Sequence, residues 1–149
     1  MKIWLALLSF MAVGADKAPN TGKTVFLCSL GQKQVSVHAL GNQLVYKFGT
    51  KAKAELTIFG SVARHNVFFR TARYANIENQ LRFINGRFSY IVFSVGGNPS
   101  VGAQAVSGLT VMNGTKPVSQ LTCRRWTELD SSIFNSSALP NDDEEFSAL

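Results

Sequence analysis

The sequence predicts an all-β fold, a small antiparallel barrel or sandwich of about eight strands in which one disulfide joins the first and last strands. Three observations predict it. Apolar residues alternate with polar or small ones along most of the chain, two Asn-Gly pairs separate strand-like runs, and the only two cysteines lie near the two ends of the patterned region. Alternation at period two is typical of strands that bury one face.

The strand-like runs are short and closely spaced, and no helical stripe of comparable length occurs. These runs are residues 25–27, 35–39, 44–48, 56–58, 65–70, 80–84, 88–93, 109–112 and 118–123. Asn85-Gly86 and Asn113-Gly114 lie between such runs, and Asn-Gly is a strong signal for a tight hairpin. Residues 96–108 contain a glycine pair, a proline and mostly small side chains, which predicts a loop.

The N-terminus has the features of an export signal. Met1 and Lys2 precede an apolar run over residues 3–13, and Val13-Gly14-Ala15 offers small side chains for cleavage. The run is too short to span a bilayer. We therefore expect a signal peptide at residues 1–15, a single β domain at residues 16–126, no transmembrane segment in the mature chain, and a periplasmic or secreted location.

The cysteine count agrees with export. In an oxidising compartment, Cys28 and Cys123 are expected to form one disulfide. In the chain-entropy model, closing so long a loop adds about 4 kcal/mol of stability. The bond is expected to be structural, because redox pairs usually lie close together in sequence and a metal site needs more ligands than this chain offers. We expect no metal site and no cofactor.

Charge is distributed unevenly along the chain. Residues 16–126 contain fourteen Lys or Arg against three acids, whereas residues 127–149 contain six acids and no basic residue. The last stretch is also polar and lacks apolar rhythm, so it is predicted to be an acidic, disordered tail. Such a tail could fold back on the basic body, bind elsewhere, or keep the protein soluble.

An interaction surface is predicted around residues 64–79, where arginines and aromatic residues gather at a connection expected to be irregular. Arg and aromatic side chains are enriched at protein interfaces. A hydrophobic strand flanked by solvated arginines would have the same composition. The candidate partner-binding residues are Ser61, Arg64, His65, Arg70, Arg73 and Tyr74.

Catalytic groups are scarce in the predicted domain. Its candidates for acid or base chemistry are Glu55, Glu78, His38 and His65. Ser61 lies near His65, but the second glycine of a nucleophile elbow is missing. No phosphate loop, dinucleotide fingerprint or metal motif occurs. We therefore predict a chain that is not an enzyme and has no catalytic residues.

Several of these features resemble the periplasmic inhibitors of c-type lysozymes. The resemblance covers about residues 24–123 and rests on Cys28 in the first strand, the runs KQVSV at 33–37 and LVY at 44–46, a middle loop, and Cys123 closing the last strand. Leu121 stands where that group has a tyrosine near its final cysteine.

The resemblance implies a small antiparallel barrel that inserts loop residues, including a serine and a basic side chain, into the cleft of a muramidase. Either Ser61 with Arg64, or Ser107-Gly108, would take the serine-loop part. The departure at Leu121 and the basic body leave the partner open, because animal lysozymes are themselves basic.

Three functions remain open at this stage. The favoured one is an exported inhibitor or immunity-type protein whose partner is a cell-wall hydrolase or a secreted toxin. The second is a binder of anionic envelope material, such as lipopolysaccharide, teichoic acid or nucleic acid, supported by the basic body. The third is a structural component of the envelope.

Overall fold

The protein is described from a computed structural model, which covers residues 22–73 and 76–144. Within these ranges the chain is nearly all β, as predicted. Its strands are β1 (Lys23–Ser29), β2 (Gln34–Leu40), β3 (Gln43–Gly49), β4 (Ala54–Gly60), β5 (Val67–Arg73), β6 (Ile77–Asn85), β7 (Phe88–Val95), β8 (Val106–Asn113) and β9 (Lys116–Thr122). The predicted signal peptide and Tyr74 lie outside the described residues.

The strands form two antiparallel sheets. One sheet has four strands in the order β1-β2-β3-β4, and the other has five in the order β5-β6-β7-β8-β9. Within each sheet, every strand pairs with its neighbours in the sequence, because short turns favour antiparallel pairing, whereas β4 and β5 belong to different sheets. Neither sheet closes into a barrel within the residues described, so the sandwich alternative applies.

The core lies between the two sheets. Tyr46 of β3 is fully buried, and its ring centre lies 5.4 Å from that of Phe83 on β6 and 5.5 Å from that of Tyr90 on β7. Burial, reinforced by Tyr90, raises the pKa of the Tyr46 phenol well above its usual value. These aromatic contacts join side chains that alternation directs inward from each sheet.

Both Asn-Gly hairpins are present, with the glycine rather than the asparagine in the turn. Asn85 pairs with Phe88 and Asn113 pairs with Lys116, so each asparagine ends its strand and each glycine begins a two-residue loop. Gly86 has a φ of 62° and Gly114 a φ of 60°. The first loop position is where a type II′ turn requires glycine.

The predicted loop at residues 96–108 ends earlier than expected. A 3₁₀ turn at Pro99–Val101 interrupts it, and β8 already begins at Val106. Gly108 lies inside β8, where a Cβ atom would stand 2.1 Å from the carbonyl oxygen of Leu121. A small residue is needed in this strand because the neighbouring backbone approaches so closely.

The predicted disulfide is confirmed. Cys28 of β1 and Cys123, which directly follows β9, are bonded with their Cα atoms 5.4 Å apart. The backbone N–H of Arg124 then donates to the carbonyl of Ser29 at 2.8 Å. The first strand of one sheet is therefore tied to the last strand of the other by a covalent bond and an adjacent hydrogen bond.

The predicted disordered tail is wrong for residues 127–144, which pack against both sheets. This segment contains a short helix, α1 (Ser132–Ser136). Leu129, Ile133, Phe134 and Leu139 are buried in the main core, and the Phe134 ring stacks on Phe69 of β5 at 4.6 Å. The packed domain thus extends beyond the predicted boundary at residue 126.

The end of this segment also lies along the edge of β5. The N–H of Phe69 donates to the carbonyl of Pro140 at 3.0 Å, and the N–H of Asp142 donates to the carbonyl of Phe69 at 2.6 Å. These two bonds make a single parallel bridge between Phe69 and Asn141. The acidic residues therefore lie at the sheet edge, where a basic side chain of β6 meets them.

That side chain is Arg82, on the face of the five-stranded sheet opposite the main core. Its Nε donates to Asp142 Oδ2 at 2.6 Å, and its Nη1 lies 3.0 Å from Glu144 Oε2. Arg82 and Asp142 are 2% and 5% exposed, whereas Glu144 is 61% exposed. One buried ion pair therefore links the acidic segment to the sheet.

No helix in the described ranges is long and apolar enough to cross a membrane.

Candidate functional site

The best-defined of the predicted site elements is the turn between β4 and β5, here called the β4–β5 loop (residues 61–66). Hydrogen bonds from its own residues hold its backbone. The N–H of Ser61 donates to Asn66 Oδ1 at 3.1 Å, and the N–H of Arg64 donates to Ser61 Oγ at 3.2 Å. The N–H of His65 reaches the carbonyl of Val62 at 3.1 Å, and Asn66 Nδ2 reaches the carbonyl of Phe59 at 3.0 Å. The loop is therefore rigidly shaped by its own side chains.

The two serines considered for the serine-loop part are used internally. Ser61 is 7% exposed, and its Oγ accepts the Arg64 N–H. Ser107 is 1% exposed, and its Oγ accepts the N–H of Thr127 at 3.0 Å. Both hydroxyls therefore position backbone, and neither faces solvent as an inserting side chain would.

The middle of the β4–β5 loop is exposed. Val62 is 40% exposed, and the side chains of Arg64 and His65 also reach solvent. The Arg64 guanidinium donates to the carbonyl of Phe59 at 3.4 Å, which holds the side chain beside β4. His65 has a φ of 51°, in the left-handed region that few non-glycine residues adopt. An apolar group, a cation and an imidazole are thus presented together.

The predicted site residues do not form one cluster. The strand-like run predicted at residues 65–70 is present as β5, which continues to Arg73 into the connection expected to be irregular, so Arg70 and Arg73 lie progressively farther from the β4–β5 loop. A seven-residue strand spans about 20 Å, which separates Arg73 from the loop. Arg70 donates to the carbonyl of Glu144 at 3.2 Å, and Tyr74 is not among the described residues.

Arg73 instead lines a groove at the other end of β5. This groove has a volume of about 480 Å³ and also contains Ile77, Trp126 and Glu128. Trp126 is 46% exposed, and its Nε1 donates to the carbonyl of Val95 at 3.1 Å. No sequence signal indicated this groove, because Trp126 lies at the predicted domain boundary and is far along the chain from Arg73 and Ile77.

A second unpredicted groove is basic and lies beside the hairpin that joins β3 to β4. We call it the hairpin groove, and its charged and titratable side chains are His38, Lys47, Lys51 and Lys53. Its volume is about 330 Å³. Burial, together with the positive charge of Lys47, lowers the pKa of His38. The groove therefore combines a positive field with an imidazole that is kept neutral more readily than usual.

Several carboxylates of the described part form hydrogen bonds or ion pairs with other residues of the chain. Asp130 accepts from Lys23 at 2.6 Å and from the Ser132 hydroxyl, and these hydrogen bonds lower the pKa of its carboxyl. Glu55 is paired with Lys33, and Gln80 donates to the buried Glu78. Among the residues described, no group of three or more His, Cys, Asp or Glu is placed to hold a metal ion.

Comparisons with models of protein families, with curated proteins and with solved structures found no match in any of the three searches.

Proposed function

We propose that this chain is an exported, non-enzymatic inhibitor or immunity-type protein, and that its β4–β5 loop contacts the partner. The partner class is a cell-wall hydrolase or a secreted toxin. The proposal places recognition at one end of β5, with Val62, Arg64 and His65 as contact residues, and gives Arg70 and Arg73 no part in that contact.

The observation that carries the proposal is the rigid shape of the exposed loop. Ordering a flexible side chain at an interface costs about 0.5–1.5 kcal/mol, and ordering a loop adds to that cost. In the β4–β5 loop, the side chains of Ser61 and Asn66 already hold the backbone. A loop preorganised in this way can enter a cleft with little further loss of entropy.

The chemistry of the loop suits the cleft of a glycosidase. Most such enzymes place two carboxyl groups on either side of the scissile bond. The Arg64 guanidinium could pair with one of them, and Val62 would pack against the apolar wall of the cleft. The confirmed disulfide supports the export part of the proposal, because such bonds persist in oxidising compartments.

The test uses the chain from residue 16 onward and single substitutions in the loop. We expect the parent chain to inhibit cell-wall lysis by c-type lysozyme or by a hydrolase captured from the native compartment. Lysis is measured as the loss of turbidity of a cell-wall suspension. Arg64→Ala should weaken the interaction at least about thirtyfold, the usual effect of truncating an interface anchor. His65 is replaced by asparagine rather than alanine, because asparagine tolerates the left-handed backbone conformation of this position.

Arg125→Ala is the control, since Arg125 is exposed and directly follows Arg124, which bonds to Ser29 at the end of the four-stranded sheet opposite the β4–β5 loop. The proposal is wrong if Arg64→Ala and Arg125→Ala have the same affinity as the parent for every partner tested.

A further inference from the structure

We propose that the hairpin groove is a binding site for a phosphate-bearing ligand. Lys47, Lys51 and Lys53 would hold the phosphate, and His38 would lie at its edge. This inference is independent of the β4–β5 loop and would locate the anion-binding activity that the basic composition suggests.

The four side chains converge because of strand register. Lys47 of β3 lies opposite Ser36 of β2 and Thr57 of β4, so its side chain is at the centre of the outer face of the four-stranded sheet. His38 lies two residues farther along β2, on the same face. The β3–β4 hairpin brings Lys51 and Lys53 over the end of this face.

The hairpin holds its lysines in a fixed shape. The N–H of Thr50 donates to the carbonyl of Lys53 at 3.0 Å, and the N–H of Lys53 donates back to Thr50 Oγ1 at 3.1 Å. At Gly49 a Cβ atom would stand 2.3 Å from the Lys53 carbonyl oxygen, so the turn closes tightly against the end of β3. The ammonium groups therefore extend from an ordered base.

The groove has cations without matching acids. Nearby Lys33 and Lys23 are paired with Glu55 and Asp130, respectively. Lys47, Lys51 and Lys53 form no ion pair within residues 22–73 and 76–144. Like charges gathered in a concave surface raise the local concentration of anions, and binding an anion relieves their mutual repulsion.

The number of cations and the polar lining of the groove suit a phosphate. Lysine binds phosphate as a compact point charge, and a phosphate group offers more acceptor oxygens than a carboxylate for several donors to share. Gln34, Ser36 and Thr50 also line the groove and offer polar groups to the remaining oxygens. A lipid phosphate, a polyol phosphate polymer and a nucleic acid backbone share this chemistry.

The groups that face His38 define how binding should depend on pH. They are Thr24 of β1, whose Oγ1 lies 3.3 Å from His38 Nδ1, Lys47 of β3, and the hairpin lysines, with the paired Lys33 and Glu55 beyond them. All unpaired charges in this set are positive. A bound phosphate reverses the local field, so it should raise the pKa of His38 and bind more tightly as the pH falls.

The experiment compares two triple variants of the chain from residue 16 onward. Lys47→Gln/Lys51→Gln/Lys53→Gln removes the hairpin charges, and Arg87→Gln/Lys116→Gln/Arg125→Gln removes the same charge from exposed positions elsewhere. The probes are vesicles containing lipid A, a glycerol phosphate polymer and a single-stranded oligonucleotide, with polyglutamate as a carboxylate control. Thermal unfolding verifies that both variants fold, as expected for surface changes.

Three phosphate contacts predict a slope of about −2 in the logarithm of the oligonucleotide affinity against the logarithm of salt concentration, or roughly a twentyfold loss between 50 and 200 mM salt. The hairpin variant should lose at least tenfold in affinity for the phosphate probes, and the control variant should retain the parent's affinity. Equal losses in the two variants, or polyglutamate binding as tight as the phosphate probes, would overturn the proposal. Which phosphate probe binds tightest distinguishes the three sources.

NMR titration of His38 distinguishes binding in the groove from diffuse electrostatic attraction to the whole basic domain, which would not change the pKa of His38. The pKa of His38 should rise when a phosphate probe is added to the parent and stay unchanged in the hairpin variant. His38→Gln should still bind at pH 8 but lose the increase in affinity at lower pH. Binding to the parent without any change in the His38 pKa would place the ligand elsewhere and refute the assignment.

Discussion

Replacing Asp142 by asparagine removes one charge from the buried ion pair between the C-terminal segment and β6. The two side chains are almost inaccessible to solvent, at 2% for Arg82 and 5% for Asp142. Breaking such a pair by removing one partner costs about 3–5 kcal/mol, because the other charge stays buried without compensation. Glu144 remains near the guanidinium but is 61% exposed, so it offsets only part of the loss. We expect a destabilisation of about 3 kcal/mol, at the lower end of this range.

Urea unfolding of the chain from residue 16 onward measures this free energy, and a loss of this size corresponds to roughly 10 °C in Tm for a domain of this length. Asp143→Asn is the matched control, since it removes the same charge from the exposed neighbouring residue and should change stability by within about 0.5 kcal/mol. Arg82→Met/Asp142→Leu should recover much of the loss, because it leaves no unpaired charge.

Equal, small effects of Asp142→Asn and Asp143→Asn would show that the buried ion pair does not have this role. An apolar pair as unstable as Asp142→Asn would show that the unpaired charge is not the cause of the loss.

Three further predictions concern the core and the surface. Deleting residues 127–149 should prevent cooperative unfolding, seen as a loss of the near-UV circular dichroism signal, because it exposes core around Phe69; retention of the parent's Tm would contradict the observed packing. Tyr46→Phe should leave the free energy of unfolding within about 1 kcal/mol of the parent or raise it, since the buried hydroxyl has no hydrogen-bond partner among residues 22–73 and 76–144. A loss above about 2 kcal/mol in urea would reveal a partner. The hydrogen bonds that Asp130 accepts lower its pKa in the folded state. The stabilisation that they provide is therefore present above the pKa of Asp130 in the unfolded chain, and it is lost as the pH falls through the lower pKa of the folded state. Asp130→Asn should therefore cost under about 1 kcal/mol at pH 7, and this cost should shrink as the pH falls below the usual pKa of an aspartate carboxyl. A cost that does not shrink over this range would exclude the linkage.

The strands and hairpins were predictable because their signals are local. Alternation marks which residues of a strand point inward, and a glycine at a turn marks where the chain reverses. The path of residues 127–144 was not predictable in the same way. Leu129, Ile133 and Phe134 follow neither a period of two nor one of 3.6, and their burial depends on the space left between two sheets made by earlier residues.

The candidate sites show the same limit. Residues 64–79 look like one basic and aromatic cluster in the sequence, but a strand in their middle carries Arg73 about 20 Å from the β4–β5 loop. The hairpin groove had a usable signal, because Lys47 lies near the end of one strand-like run and Lys51 and Lys53 lie in the gap before the next, with only Glu55 close by. Predicting that these lysines lie near His38 also requires the register between β2 and β3, and the alternation of apolar and polar residues does not give that register.

The bridge between Phe69 and Asn141 has a consequence for how the chain avoids aggregation. β5 is an edge strand, and an uncovered edge can pair with another copy of the chain. The segment that covers it is synthesised after β5 and after the second cysteine of the disulfide. Until residues 140–142 arrive, β5 remains an open template for intermolecular pairing, so the nascent or unoxidised protein should be the form that requires protection by chaperones.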